Sequence, residues 1–201
     1  MTMPRYKESE RKHIKVETRK LLLKAAIDAF AREGYEKANI NQISKAAGFA
    51  KGTIYNYFES KRALMLALIH ETASVHLEYI AARVLQEDGA ERRLMCFFEA
   101  GWSIVAEYLP QLRILVHTLY GVDEEFKQVL WQAYQPMHKL IREDILELGI
   151  EQGVFRSLDL NTTTGLIMNL YLGIASHADD DGRIWLDADQ VADFVLKALI
   201  K

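Results

Sequence analysis

The sequence predicts an all-α fold, with an N-terminal three-helix domain containing a helix-turn-helix and a larger C-terminal helical domain. Three observations carry that prediction. Only three prolines occur in 201 residues, and two of them, Pro110 and Pro136, fall late in the chain. No run of alternating apolar and polar residues stands between hairpin turns. Apolar residues recur instead at helical spacing through most of the chain.

Composition narrows the class. Half of the residues are hydrophobic, enough to build a core. The longest apolar runs fall far short of the ~20 residues that cross a bilayer. The leading residues MTMPRYKESERKH are charged and have no apolar stretch behind them to act as a secretory signal. The expectation is a soluble cytoplasmic protein with no membrane partner. A single cysteine, Cys96, excludes an internal disulfide framework and a cysteine-rich metal site. Among Leu94, Met95, Phe97 and Phe98 it reads as a buried thiol. Charge is unevenly spread. Residues 1–62 carry 14 Lys and Arg against 7 Asp and Glu, a net of +7, while the remainder carries 11 against 21, a net of −10. A basic segment joined to an acidic one suggests a polyanion partner at one end, with a merely solvated basic surface as the alternative.

The first helix is expected from about Glu17 to Glu33. Leu22, Ala25, Ala26, Ala29 and Phe30 form its apolar stripe, and Gly34 stops it. Arg5, Lys7, Arg11, Lys12, Lys15, Arg19 and Lys20 precede or open it and read as a basic arm, mobile alone and tracking phosphates when a polyanion is bound, with an inert solvated tail as the alternative. A short helix follows, with Asn39 and Gln42 as a capping box and Ile40, Ile43, Ala46 and Ala47 on its buried face. Gly48 ends it. A second short helix, about Ala50 to Phe58, buries Ile54 and Phe58. Two short helices joined by a glycine-containing turn behind a longer one make a helix-turn-helix, whose second helix enters the major groove of DNA.

Lys51, Thr53, Tyr55, Asn56 and Tyr57 on that second helix offer a cation, a hydroxyl, an amide and two phenols. A plain surface helix favours Glu, Lys and Gln, which are better helix formers. Gly52 permits close approach to another surface. Ser60 caps the next helix, and Lys61 and Arg62 occupy its first turn, where the helix dipole disfavours cations. A bound phosphate would account for them.

From Leu22 to Leu68 the chain resembles the DNA-binding region of the tetracycline-repressor (TetR) family. The resemblance lies in Phe30-x-x-x-Gly34-Tyr35, in the run from Ala38 to Phe58 (Ala38-Asn39-Ile40-Asn41-Gln42-Ile43-Ser44-x-x-Ala47-Gly48-Phe49-Ala50-Lys51-Gly52-Thr53-Ile54-Tyr55-Asn56-Tyr57-Phe58), and in Ser60-Lys61-x-x-Leu64. It implies that Lys51, Gly52 and Thr53 read base edges, and that Tyr55, Asn56, Tyr57 and Lys61 contact the DNA backbone. Asn39, Ile40 and Asn41 are implied in phosphate contacts and an occasional base contact. Two positions depart from the family pattern. Ala50 stands where a capping Ser is common, leaving the recognition helix weakly capped. Asn39 stands where Thr is common, a mild change.

Beyond about residue 70 the helices read as 60–86, 90–108, 110–120, 123–152, 159–178 and 187–200, the last opened by Asp187 and Gln190. Domain boundaries are expected at 1–62 for DNA binding and 63–201 for effector binding and dimerisation. The last two helices are apolar on nearly all sides. The resemblance implies that they form a four-helix homodimer interface, with Leu166, Leu170, Ile174, Ala192, Leu196 and Ile200 as candidates; complete burial in the monomer is the alternative. Candidates for an apolar effector pocket are Phe98, Trp102, His117, Tyr120, Trp131, Tyr134, His138, Met168 and Tyr171, or else these are ordinary core. His70, His76, His117, His138 and His177 show no close metal-ligand spacing, so no metal is expected. No phosphate loop, dinucleotide fingerprint or paired nucleophile and base is visible, so no cofactor and no catalytic residue is expected. The reading is a non-enzymatic, DNA-binding repressor released by a small apolar or amphipathic effector. An effector-independent DNA-binding protein, or a small-molecule binding protein or enzyme without DNA binding, stand as alternatives.

Overall fold

The computed structural model describes residues 8–121, 123–177, 179 and 183–200, less the side chains at 106, 119, 120 and 175. The fold is all-α. Strands are absent among the described residues, where Phe155 and Ile200 form an isolated antiparallel bridge. No described helix is long and apolar enough to cross a membrane. The chain divides into two compact units, Met1–Leu68 and Ile69–Lys201.

In the first unit, α1 (Glu8–Lys37) and α2 (Ile40–Ala46) pack on each other and on a single 3-10 turn, Thr53–Asn56. Leu22, Ala26, Phe30, Ile43, Ile54, Phe58 and Leu64 are all buried there. α1 begins nine residues before Glu17, so Arg11, Lys12 and Lys15 lie on an exposed helix rather than in a mobile arm. Glu, Arg and Lys are good helix formers, and the charged run simply prolongs the helix. Arg5 and Lys7 lie outside the described residues. α1 is interrupted at Gly34, whose φ is 78°. The expected cap of α2 is present: Asn39 Oδ1 accepts from the backbone N–H groups of Asn41 at 2.9 Å and Gln42 at 3.3 Å. Gly48, at φ 86°, turns the chain out of α2.

The second unit holds most of α3 (Lys61–Val84), then α4 (Ala90–Tyr120), α5 (Glu124–Ala133), α6 (Gln135–Lys139), a π-helical segment Leu140–Glu147, α7 (Leu148–Glu151), α8 (Leu160–Gly173), a 3-10 turn Ile174–His177 and α9 (Ala188–Leu199). α4 is its central element, packed on α9, the π-helical segment, α5 and α8. The break expected between 108 and 110 is a kink, with Tyr108 at non-helical φ and ψ before Pro110. Proline lacks the N–H that the helical ladder needs. The expected single helix 123–152 is divided: it breaks at Tyr134, Pro136 opens α6, and the turns widen to the π form from Leu140. Asp159 and Asp187 cap α8 and α9, accepting from the N–H groups of Thr162 and Gln190. Cys96 is buried, and burial raises its thiol pKa, with Glu87 and Glu99 adding to the effect.

Candidate nucleic-acid interface and effector site

The reading head is set by a short chain of contacts behind an exposed surface. Ile54 and Phe58 anchor the segment after α2 from below. Ser44 is fully buried on α2, and its hydroxyl donates to the Ala50 carbonyl at 2.6 Å, fixing the start of that segment. The Arg19 guanidinium lies 5.5 Å from the Phe58 ring centre. With these anchors in place, Asn39, Lys51, Gly52, Tyr55 and Asn56 are exposed, and Ile40, Asn41, Thr53 and Tyr57 are half-buried. All lie within residues 39–57, in one compact unit.

The recognition segment is shorter than expected. Regular structure is limited to Thr53–Asn56, with no side-chain cap at its start. Thr, Tyr and Asn are weak helix formers, and Ala50 has no side-chain oxygen to offer the free N–H groups.

Lys61 has partners other than the expected phosphate. Its ammonium donates to the carbonyls of Tyr35 at 2.7 Å, Glu36 at 2.9 Å and Ala38 at 3.3 Å, and sits 4.6 Å from the Tyr35 ring centre. These carbonyls lie at the negative end of α1, so a cation that opposes the dipole of its own helix satisfies that of another. Ser60 caps α3 as expected, accepting from the Ala63 N–H at 3.0 Å.

In the second unit the nine pocket candidates part company. Phe98 and Tyr171 are buried core: Phe98 packs edge-on against Phe97 and Trp102, and Phe97 lies 5.6 Å from Tyr171. Trp102 is half-buried and donates from Nε1 to the Leu186 carbonyl at 2.7 Å. His117 is exposed on α4, away from any buried role. The Tyr120 side chain lies outside the described residues. The other four come together. Trp131, Tyr134, His138 and Met168, with Leu130 and Leu172, line an apolar seam of only about 10 Å³.

His76, which sequence spacing did not single out, is the polar centre of this unit. It projects from α3 and is fully buried. The hydroxyls of Tyr134 and Tyr171 lie 2.8 and 3.0 Å from its Nδ1, and the Tyr108 ring packs edge-on. Burial lowers the imidazole pKa to about 4 and raises both phenols, so all three are neutral near pH 7. Both phenol oxygens are within hydrogen-bond reach of Nδ1, the tautomer setting which group donates, while Nε2 is buried without a partner. Gly101 makes room for this arrangement. A methyl there would meet the Tyr171 ring at 3.0 Å.

Beside the seam runs an open groove of about 620 Å³, lined from α6 and the π-helical segment on one side and by Asn161 and Thr164 of α8 on the other. His138 lines both seam and groove. Burial lowers its pKa, and its ring lies 5.3 Å from that of Trp131.

Residues 22–68 match the family model described as bacterial regulatory proteins, tetR family. Within this chain, those N-terminal residues are the part that resembles the tetR family. Along most of its length the chain is similar to a fatty acid metabolism regulator protein of Bacillus subtilis, 24% identical over 182 residues that cover 87% of this chain and 86% of that protein. Its fold is that of the transcriptional regulator FadR from Bacillus subtilis in complex with stearoyl-CoA, with a TM-score of 0.77, 22% identity, and coverage of 90% and 97% of the two chains. AibR in complex with isovaleryl coenzyme A and operator DNA is similar too, with a TM-score of 0.73, 20% identity, and coverage of 91% and 98%.

The last helices of the chain place the six dimer candidates unequally. Leu166 and Leu170 are 62% and 41% exposed on α8, and Ile200 is exposed after α9. Leu196 is half-buried. Ile174 and Ala192 are fully buried within their own unit and belong to its core instead. Phe194, 71% exposed on α9, is the large apolar side chain left out of the candidate set.

Proposed function

We propose that the chain is a repressor that binds a palindromic operator as a homodimer and releases it when an amphipathic, acyl-bearing ligand enters the second unit. In this reading residues 1–62 are the DNA-binding domain and 63–201 the effector-binding and dimerisation domain, with α3 as their covalent link. Lys51, Gly52 and Thr53 read bases, and Tyr55, Asn56 and Tyr57, with Asn39, Ile40 and Asn41, meet the backbone. Lys61 acts as a strut between α3 and the end of α1. Leu166, Leu170 and Phe194 form the centre of the dimer face. An effector of acyl type is in keeping with the ligands of FadR and AibR.

The observation that carries the ligand-responsive part is at Tyr134. Its ring lines the apolar seam, and its hydroxyl meets His76 of α3 at 2.8 Å. A tail that opens the seam must move Tyr134, and with it a hydrogen bond to the helix that continues into the reading head. The test is selection of duplexes from a random pool by the full chain. Selected sequences should be palindromic, with half-sites one or a few helical turns apart. Lys51→Ala should relax preference at one or two positions, by ~1–3 kcal/mol for each lost bidentate contact. Selection without any consensus would remove the operator-binding reading.

A further inference from the structure

We propose that the groove between the Gln135–Arg142 stretch and the start of α8 seats an anionic, oxygen-rich head group of the effector, whose apolar tail enters the seam at Trp131. This rests on the effector reading above and adds the site and the chemistry of the head.

Thr164 is the first reason. It lines the groove, is 3% exposed, and its Oγ1 has no hydrogen-bond partner. His138 Nε2, on the opposite wall, is likewise buried and unpartnered. Buried polar atoms are seldom left unsatisfied, and two that line one groove point to a ligand that satisfies them. The volume of about 620 Å³ falls in the range of small-molecule sites.

Charge and donors are the second reason. Lys139 and Arg142 line the groove together with the amides of Gln135 and Asn161. Its one acid, Glu143, lies 3.6 Å from the Lys139 ammonium. Arg142 is held by Glu147 at 3.2 Å and Asn161 at 3.1 Å, so its guanidinium is already positioned. Hydrogen-bond donors therefore predominate along the groove walls. A carboxylate and a phosphate monoester share the chemistry that fits. The tail follows from continuity: His138 is common to the polar groove and to the seam, whose remaining walls include Leu130, Met168 and Leu172. Trp131, 42% exposed and tilted against the His138 ring at 5.3 Å, lies at the seam where the tail would enter.

The experiment is calorimetric titration of the full chain with decanoate, decyl phosphate and the neutral decanol, with operator affinity read in parallel. At least one of the two anions should bind tenfold or more tightly than decanol, and the better of the two names the head. Arg142→Gln and Thr164→Val should each reduce that preference at least fivefold while leaving decanol affinity unchanged. Thr164→Val should melt no lower than the wild type, since it removes an unsatisfied hydroxyl. Equal affinity for decanol and both anions, a preference that survives both substitutions, or no binding of any decyl compound would overturn the proposal. Operator release by decanol as readily as by the anions would remove the anion seat and leave the effector reading intact. Anion-selective binding with unchanged operator affinity would keep the seat and remove its regulatory role.

Discussion

Lys61 and His76 are the two residues whose surroundings decide most about this chain. Lys61 gathers three carbonyls at the end of α1 and an aromatic ring. Its loss leaves those carbonyls to water, so Lys61→Ala should destabilise the first unit by about 1–3 kcal/mol in denaturant unfolding. If it acts as a strut, the substitution should leave the salt dependence of DNA binding unchanged, whereas loss of a phosphate contact would lower the slope by about one unit. His76 makes a different, pH-dependent contribution. Its folded pKa of about 4 lies below the ordinary 6.5, so between those values the unfolded chain binds the proton and the folded chain does not. Stability must fall as pH drops from 6.5 to 4, by about 3 kcal/mol in all, and be indifferent to this group above and below that window. His76→Gln should flatten the profile there in urea unfolding; a variant with the wild-type profile would show that His76 is not the group responsible.

The elements that follow from local chemistry were legible in the sequence, and those set by tertiary packing were not. Asn39, Ser60 and Asp187 each cap a helix through side-chain oxygens acting within three residues, so those starts could be read directly. The kink before Pro110 is equally local. The π-helical turns at Leu140–Glu147 have no local signal. Nor did His76, because its partners come from α4, α8 and the turn after α5. Ser44 carried a faint signal, a hydroxyl beside Ile43 on the buried face of α2. The turn between α2 and the recognition segment depends on Gly48 at φ 86°, with open space around it. Gly48→Ala meets no clash, only left-handed backbone strain, so it should cost about 1–2 kcal/mol and weaken DNA binding through the displaced segment. Unchanged melting and DNA affinity would show that the turn tolerates another conformation.

For the molecule as a whole, the proposed function requires two copies and a ligand-sensitive link. Leu166, Leu170 and Phe194 expose more apolar surface on α8 and α9 than an isolated monomer needs. Replacing Phe194 and Leu166 together by Glu should yield monomers in sedimentation and reduce operator affinity by orders of magnitude, with the helical content retained. A monomer that binds operator as well as the wild type would contradict the dimer. The coupling between units admits the most direct test of the whole account. Ligand and operator must each weaken the other by the same factor if both act on one equilibrium. The measurement is the affinity of whichever of decanoate and decyl phosphate binds more tightly, for the free protein and for the protein saturated with its selected operator duplex. The account predicts weaker ligand binding on operator, by about 5–150-fold, matched by an equal loss of operator affinity in the presence of ligand. Equal ligand affinities for the free and operator-bound protein would contradict it.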